Sequence, residues 1–220
     1  MASVYIFHLI TFFIAVSIFT VTPGLDTAVV LRMAASSGRR GGAGAVLGIL
    51  AGISVWGVGA MLGLTELLAA SHSAFMAVKF IGALYLIWMG LRMMWQPRSF
   101  LADADNDTDL LISSKESDIL RAGFLKGFLT NILNPKVGIF VITFFPQFIP
   151  QHVDIKIFTL LQVVIQIMLS AVWLGILVMM TTQFEAFLSR PAVMRCIDRL
   201  TGGIFVVFGM KLFMTQSPSP

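Results

Sequence analysis

Charge is what this sequence has least of. Only 12% of its 220 residues are Asp, Glu, Lys or Arg, where soluble domains carry about 25%. With 57% hydrophobic residues and a mean hydropathy of +0.90, too little polar surface remains to cover a water-soluble globule. A single cysteine, Cys196, excludes an intrachain disulfide and any cysteine pair for zinc or redox work. His8, His72 and His152 fall at ends or turns of apolar segments and offer no metal or haem pair. No G-x-S-x-G, P-loop or Rossmann fingerprint occurs, so hydrolysis of ATP by this chain is not expected. Asp103, Asp105, Asp107 and Asp109 imitate the start of a calcium loop, but Leu110 stands where glycine is needed. They read as a solvated acidic loop. No metal and no cofactor is expected.

What is present is apolar and long. At roughly 20 residues per span, the chain holds five to seven helices and leaves no room for a soluble domain. Six fit: Val4 to Ala35 with an interruption, about Ala43 to Leu64, Phe75 to Trp95, Phe124 to Pro150, Ile157 to Thr182, and Leu200 to Phe213. Residues 99–120 are the one long polar stretch, and 189–199 form a basic loop. Gly38, Gly41 and Gly42 read as a helix-breaking turn beside Arg39 and Arg40. Gly44, Gly48 and Gly52 share one helix face and suit close packing. Such faces permit a homodimer without requiring one. The N-terminus has no basic leader and reads as a retained first span.

The expected fold is therefore an all-α integral membrane protein with six transmembrane helices in one domain, residues 1–220. It divides at the 99–120 loop into halves of about 1–98 and 121–215. Three spans is an odd number, so related halves insert in opposite directions. That is the 3+3 inverted repeat of secondary transporters, here with broken first and fourth helices. The mate of Pro23 in such a repeat is Pro146 or Pro135. Eleven of the 15 Lys and Arg fall on one side if both termini are outside, the others being Lys79, Lys136, Lys156 and Lys211. The excess faces the cytoplasm, and it accounts for the net charge of +4 without nucleic acid as partner.

Two clusters carry the functional signal. Thr22-Pro23-Gly24-Leu25-Asp26 interrupts the first span. Proline removes a backbone donor, and an acid at the centre of a bilayer helix costs about 2.5–3.5 kcal/mol. The bland alternative is a kinked helix that Asp26 merely caps. In Asn134-Pro135-Lys136, Asn is a good N-cap and Pro suits the first helical position. Lys136 then sits where the helix dipole disfavours a cation, so Asp26 or a bound carboxylate should compensate, unless Lys136 snorkels to the interface. Broken helices of this kind suit a small zwitterion. A half-helix N-terminus attracts its carboxylate, and Asp26 takes its ammonium or a proton. Thr22, Asn131, Asn134 and Gln147 would add neutral hydrogen bonds.

In order along the chain, Thr22-Pro23-Gly24, Arg39-Arg40-Gly41-Gly42, the run from Phe80 to Gly90, Asn131-Ile132-Leu133-Asn134-Pro135-Lys136 and Phe144-Phe145-Pro146-Gln147-Phe148-Ile149 resemble the LysE/RhtB family of bacterial amino-acid exporters, near its homoserine/threonine efflux branch. The resemblance implies a six-helix permease of the bacterial inner membrane that exports amino acids on the proton gradient. Family members commonly have a second proline where this chain has Leu25. Exporters of basic amino acids in the wider family tend to carry an acid in the second span; the span here has none, which favours small neutral substrates. The competing readings are a passive channel or exporter of another solute and, further off, a membrane-embedded enzyme, for which no nucleophile–base set is present.

Overall fold

The structure, a computed structural model, describes residues 2–70, 72–95, 116–150, 153–181, 187 and 190–214. Most of the expected 99–120 loop, with its four aspartates, lies outside them, as do His152 and Ser189. Among the described residues every regular element is a helix. Helix α1 (Ala2–Val21) stops just short of Pro23, and α2 (Leu25–Ala70) restarts beyond it. They are followed by α3 (His72–Trp95), α4 (Glu116–Ile132) and α5 (Pro135–Phe144), a 3-10 turn (Phe145–Phe148), then α6 (Ile155–Met179) and α7 (Pro191–Met214).

Several expected boundaries shift. Helix α4 begins at Glu116, inside the expected loop, and α7 begins at Pro191, so Arg195 and Arg199 lie on a helix and not in a basic loop. Helix α2 likewise runs to Ala70, past the expected end near Leu64. The break after Arg32 is confined to Ser37 and Gly38, where Gly38 takes φ 66°, ψ −173°, a region essentially reserved for glycine. It divides α2 into a short arm, 25–36, and a long arm, 39–70. Gly41 and Gly42 do not break the helix. A Cβ on Gly42 would strike Ala34 and Val178 at 2.8 and 3.0 Å, so these glycines serve close packing.

The same logic holds along the long arm. A Cβ on Gly44 or Gly48 would meet the backbone of Leu120 and Phe124, and one on Gly123 or Gly127 would meet Gly41 and Ala45. Glycines on both helices thus let α2 and α4 pack backbone to backbone, the most extensive helix pairing among the described residues. Helices α3 and α7 form the second large pair, with Gly90 against Gly202.

Two cores result. One gathers Phe12, Val16, Phe19, Phe140, Phe144 and Phe145. The other joins Val30 and Leu31 of the short arm to Ile49 of the long arm and Leu174 and Leu177 of α6.

Helix α6 shows the environment. Its outward positions are Leu160, Leu161, Val164, Met168 and Val172, all exposed, whereas Thr159, Gln162, Gln166 and Ser170 are buried. A helix with polar residues inside and leucines outside faces lipid. By length and composition, two described helices can cross a membrane, or three if α4 and α5, bent by 54°, count as one broken span. The structure thus gives an all-helical membrane protein with a broken α1–α2 and a broken α4–α5. Among the described residues fewer segments than the six expected are long and apolar enough to span, partly because the Pro23 break leaves Tyr5–Val21 a short apolar helix.

Candidate functional site

Both breaks open into one cavity of about 40 Å3 at the seam between the two cores. Phe19 and Val137 line it from one core, and Ile49, Ile53 and Leu174 from the other. Its polar wall is Thr20, Thr22, Asp26, Thr27, Asn131, Asn134, Lys136, Gln166 and Ser170. Residues 105 positions apart in the chain meet here: Asn131 Nδ2 donates to Asp26 Oδ2 at 2.8 Å.

The first break follows from Pro23. Without an N–H it cannot continue α1, and the chain re-enters a helix with Ala28 N–H bonded to the Gly24 carbonyl at 2.9 Å. Asp26 then lies in the first turn of α2, where the helix dipole favours an anion by about 0.3–1 kcal/mol. With the Asn131 bond this offsets part of the cost of burying the acid and leaves its other oxygen over. Asp26 Oδ1 is buried with no hydrogen-bond partner, as is Asn131 Oδ1.

The second break is built by a cap. Asn134 Oδ1 accepts from the Lys136 backbone N–H at 3.0 Å, with Pro135 in the first turn. The N-terminal end of α5 therefore points into the cavity, with Lys136 at its mouth. Lys136 is buried, so it does not snorkel to an interface. Its Nζ lies 4.6 Å from the centre of the Phe19 ring and 5.9 Å from that of Phe205, a cation–π seat. Phe19 is fixed in turn by stacking on Phe140 at 3.7 Å. Trp56 packs where a Cβ on Gly138 would fall, and its Nε1 donates to the Asn131 carbonyl at 3.4 Å. It braces the break from α2.

Of the residues singled out from sequence, Thr22, Gly24, Asp26, Asn131, Asn134 and Lys136 line the cavity. Pro23 is buried at the break behind it, and Pro135 opens α5. Gln147 is elsewhere: it sits in the 3-10 turn, and its Nε2 donates to the Thr143 carbonyl at 2.8 Å. Its amide caps a helix end, and it is not a cavity residue. Gly52 packs directly on Asn131, where an added Cβ would fall only 2.6 Å from Asn131 Oδ1, so the glycine face borders the site as well as packing. Sequence reasoning missed Gln166 and Ser170. The signal was there: Thr159, Gln162, Gln166 and Ser170 recur at spacings of three, four and four in an otherwise apolar span.

Chemically, the cavity combines charged groups with neutral hydrogen-bonding ones. Asp26, in the first turn of α2, and Lys136, in the first turn of α5, both line it and so bring an acid and a cation to one space. The neutral amides of Asn131, Asn134 and Gln166 line it as well. Among the described residues no group of three His, Cys, Asp or Glu is placed to hold a metal.

Known proteins point the same way. The family model for the LysE type translocator matches residues 17–216. An uncharacterized membrane protein, YrhP, of Bacillus subtilis (strain 168) is 30% identical over 87% of this chain and 91% of its own length. The threonine efflux protein of Salmonella typhi is 30% identical over 89% and 92%, and the homoserine/homoserine lactone efflux protein of the same organism 26% identical over 89% and 91%. No solved structure matches. With nearly the whole chain covered by the family model and by these relatives, the protein belongs to the LysE type translocator family.

Proposed function

We propose that the protein exports small neutral amino acids across the bacterial inner membrane and draws on the proton gradient to do so. The observation that carries this reading is the shared cavity: an acid at the start of one half-helix and a lysine at the start of another line one small space. A zwitterion suits these groups, its ammonium toward Asp26 and its carboxylate toward the Lys136 ammonium at the start of α5. The unpartnered Asp26 Oδ1 is the acceptor available to the ammonium or to a proton, and exchange of one for the other would couple the two fluxes. Relatives named for threonine and for homoserine efflux support a neutral substrate.

The architecture proposed with it is six spans in two inverted halves, α1–α3 and α4–α7, with both termini outside. Each half then opens with a helix broken at the cavity, and α3 packs on α7 across the axis. Because α4 occupies the Gly44–Gly52 face, Gly59 and Gly63, which have open space beside them, are the small-residue pair left on α2 for a second copy.

The test is export from cells loaded with dipeptides, with amino acids followed in the medium. Faster appearance of a few neutral amino acids, blocked by an uncoupler and lost in Asp26→Asn with protein still in the membrane, is expected. Uncoupler-resistant efflux would instead favour a passive channel, and full export by Asp26→Asn would remove the carboxyl from the mechanism.

A further inference from the structure

Helix α6 carries a polar face that reaches beyond the cavity. Gln166 and Ser170 line the cavity; Gln162 and Thr159 continue the same face toward the start of the helix. At 100° per residue the four lie within an arc of about 80° and, at 1.5 Å per residue, extend over about 16 Å. That is roughly half of a 30 Å hydrocarbon core. The far end is near water: Thr159 is close to Ile155, the first residue of α6, whose N-cap Asp154 is exposed.

This face is poorly satisfied for a structural one. Thr159 and Gln162 are fully buried, yet Thr159 Oγ1, Gln162 Oε1 and Gln166 Oε1 have no hydrogen-bond partner. Gln162 makes one bond, from Nε2 to the Phe145 carbonyl at 3.0 Å, which ties it to the 3-10 turn. Phe145 is in turn packed edge-on against Phe12 at 5.1 Å. A helix interface in lipid needs no such oxygens; valine or leucine would pack there without a desolvation penalty.

We propose that this face of α6 is one wall of the path by which substrate passes between the central cavity and the membrane surface at the start of α6. The inference rests on the exporter reading. Its chemistry is that of three successive neutral acceptors, Gln166 Oε1, Gln162 Oε1 and Thr159 Oγ1, which suit a solute with N–H or O–H donors, an ammonium above all. Neutral oxygens hold such a group firmly enough to admit it and weakly enough to release it to the next. Swinging of the 3-10 turn, with Phe145, away from Gln162 would open the path.

Thr159→Val is the decisive variant, because it removes a hydroxyl that bonds to nothing in this form and keeps the side-chain shape. Export should fall by about tenfold, the effect of one hydrogen bond lost in transit, with the membrane level and the half-saturating substrate concentration unchanged. Export at the wild-type rate would overturn the proposal. Labelling checks it independently. In a Cys196→Ser background, Thr159→Cys and Gln162→Cys should react with a membrane-impermeant methanethiosulfonate, while the lipid-facing Leu160→Cys and Val164→Cys should not. Absence of labelling at 159 and 162, or equal labelling on both faces, would refute a water-accessible wall. This readout needs no substrate. A chain labelled at 159 and 162 that exports no amino acid keeps the path and loses the exporter reading; one that exports but stays unlabelled does the reverse.

Discussion

Replacing Lys136 by methionine separates the needs of the fold from those of transport. For the fold, the opposing effects are of similar size. A cation in the first turn of α5 is disfavoured by about 0.3–1 kcal/mol, and its loss relieves the cost of holding an ammonium at membrane depth. Against this stand the seat over Phe19 at 4.6 Å, worth about 0.5–2 kcal/mol, and the attraction of Asp26 in the same cavity. Methionine keeps the apolar contact with the rings, so the amount of folded protein in the membrane should stay close to wild type. For transport the effects do not cancel. A carboxylate that loses its charged partner gives up a hydrogen bond of about 1.5–3 kcal/mol, which is about 10- to 150-fold in affinity. The concentration of substrate giving half-maximal export should rise by that factor. Export would be measured in proteoliposomes with an imposed pH gradient, across a wide range of internal amino acid, with the protein level read from the same vesicles. An unchanged half-saturating concentration would refute the assignment of Lys136 to the carboxylate. A collapse in protein level would refute the claim that the fold tolerates its loss.

Two further predictions concern the scaffold. Gly48→Ala places a Cβ against the Phe124 and Phe128 backbone and should destabilise by about 1–3 kcal/mol, whereas Gly175→Ala, with open space around it, should be neutral or stabilise by up to about 1 kcal/mol. Thermal unfolding in detergent compares the two, and equal melting points would contradict the α2–α4 contact. Gly38→Val forces a β-branched residue into a conformation with φ 66° and should cost about 1–3 kcal/mol, read as a lower melting temperature; no shift would mean that the backbone turns elsewhere.

Sequence alone settled what local chemistry can settle. Scarcity of charge forces the chain into lipid whatever its tertiary arrangement, because exposed apolar surface on this scale has no other solvent. Proline at 23 and the Asn134-Pro135 pair break their helices by steric and hydrogen-bond rules that act within a few residues, so both breaks could be read in advance. Gly44 and Gly48 announced a close contact by their spacing alone. Tertiary structure decided what depends on distance across the bundle. That Asp26 bonds to Asn131, 105 residues away, and that Lys136 rests on the ring of Phe19, cannot follow from spacing, since the long α2 and α3 intervene and their directions are free until packed. Gln147 looked like a site residue by composition and is spent on a turn, while Gln166 and Ser170 looked like ordinary residues of an apolar span and face the cavity. A glutamine has the same local signature in both settings. Only the direction in which its helix face is buried tells them apart, and that direction is set by the helices packed around it.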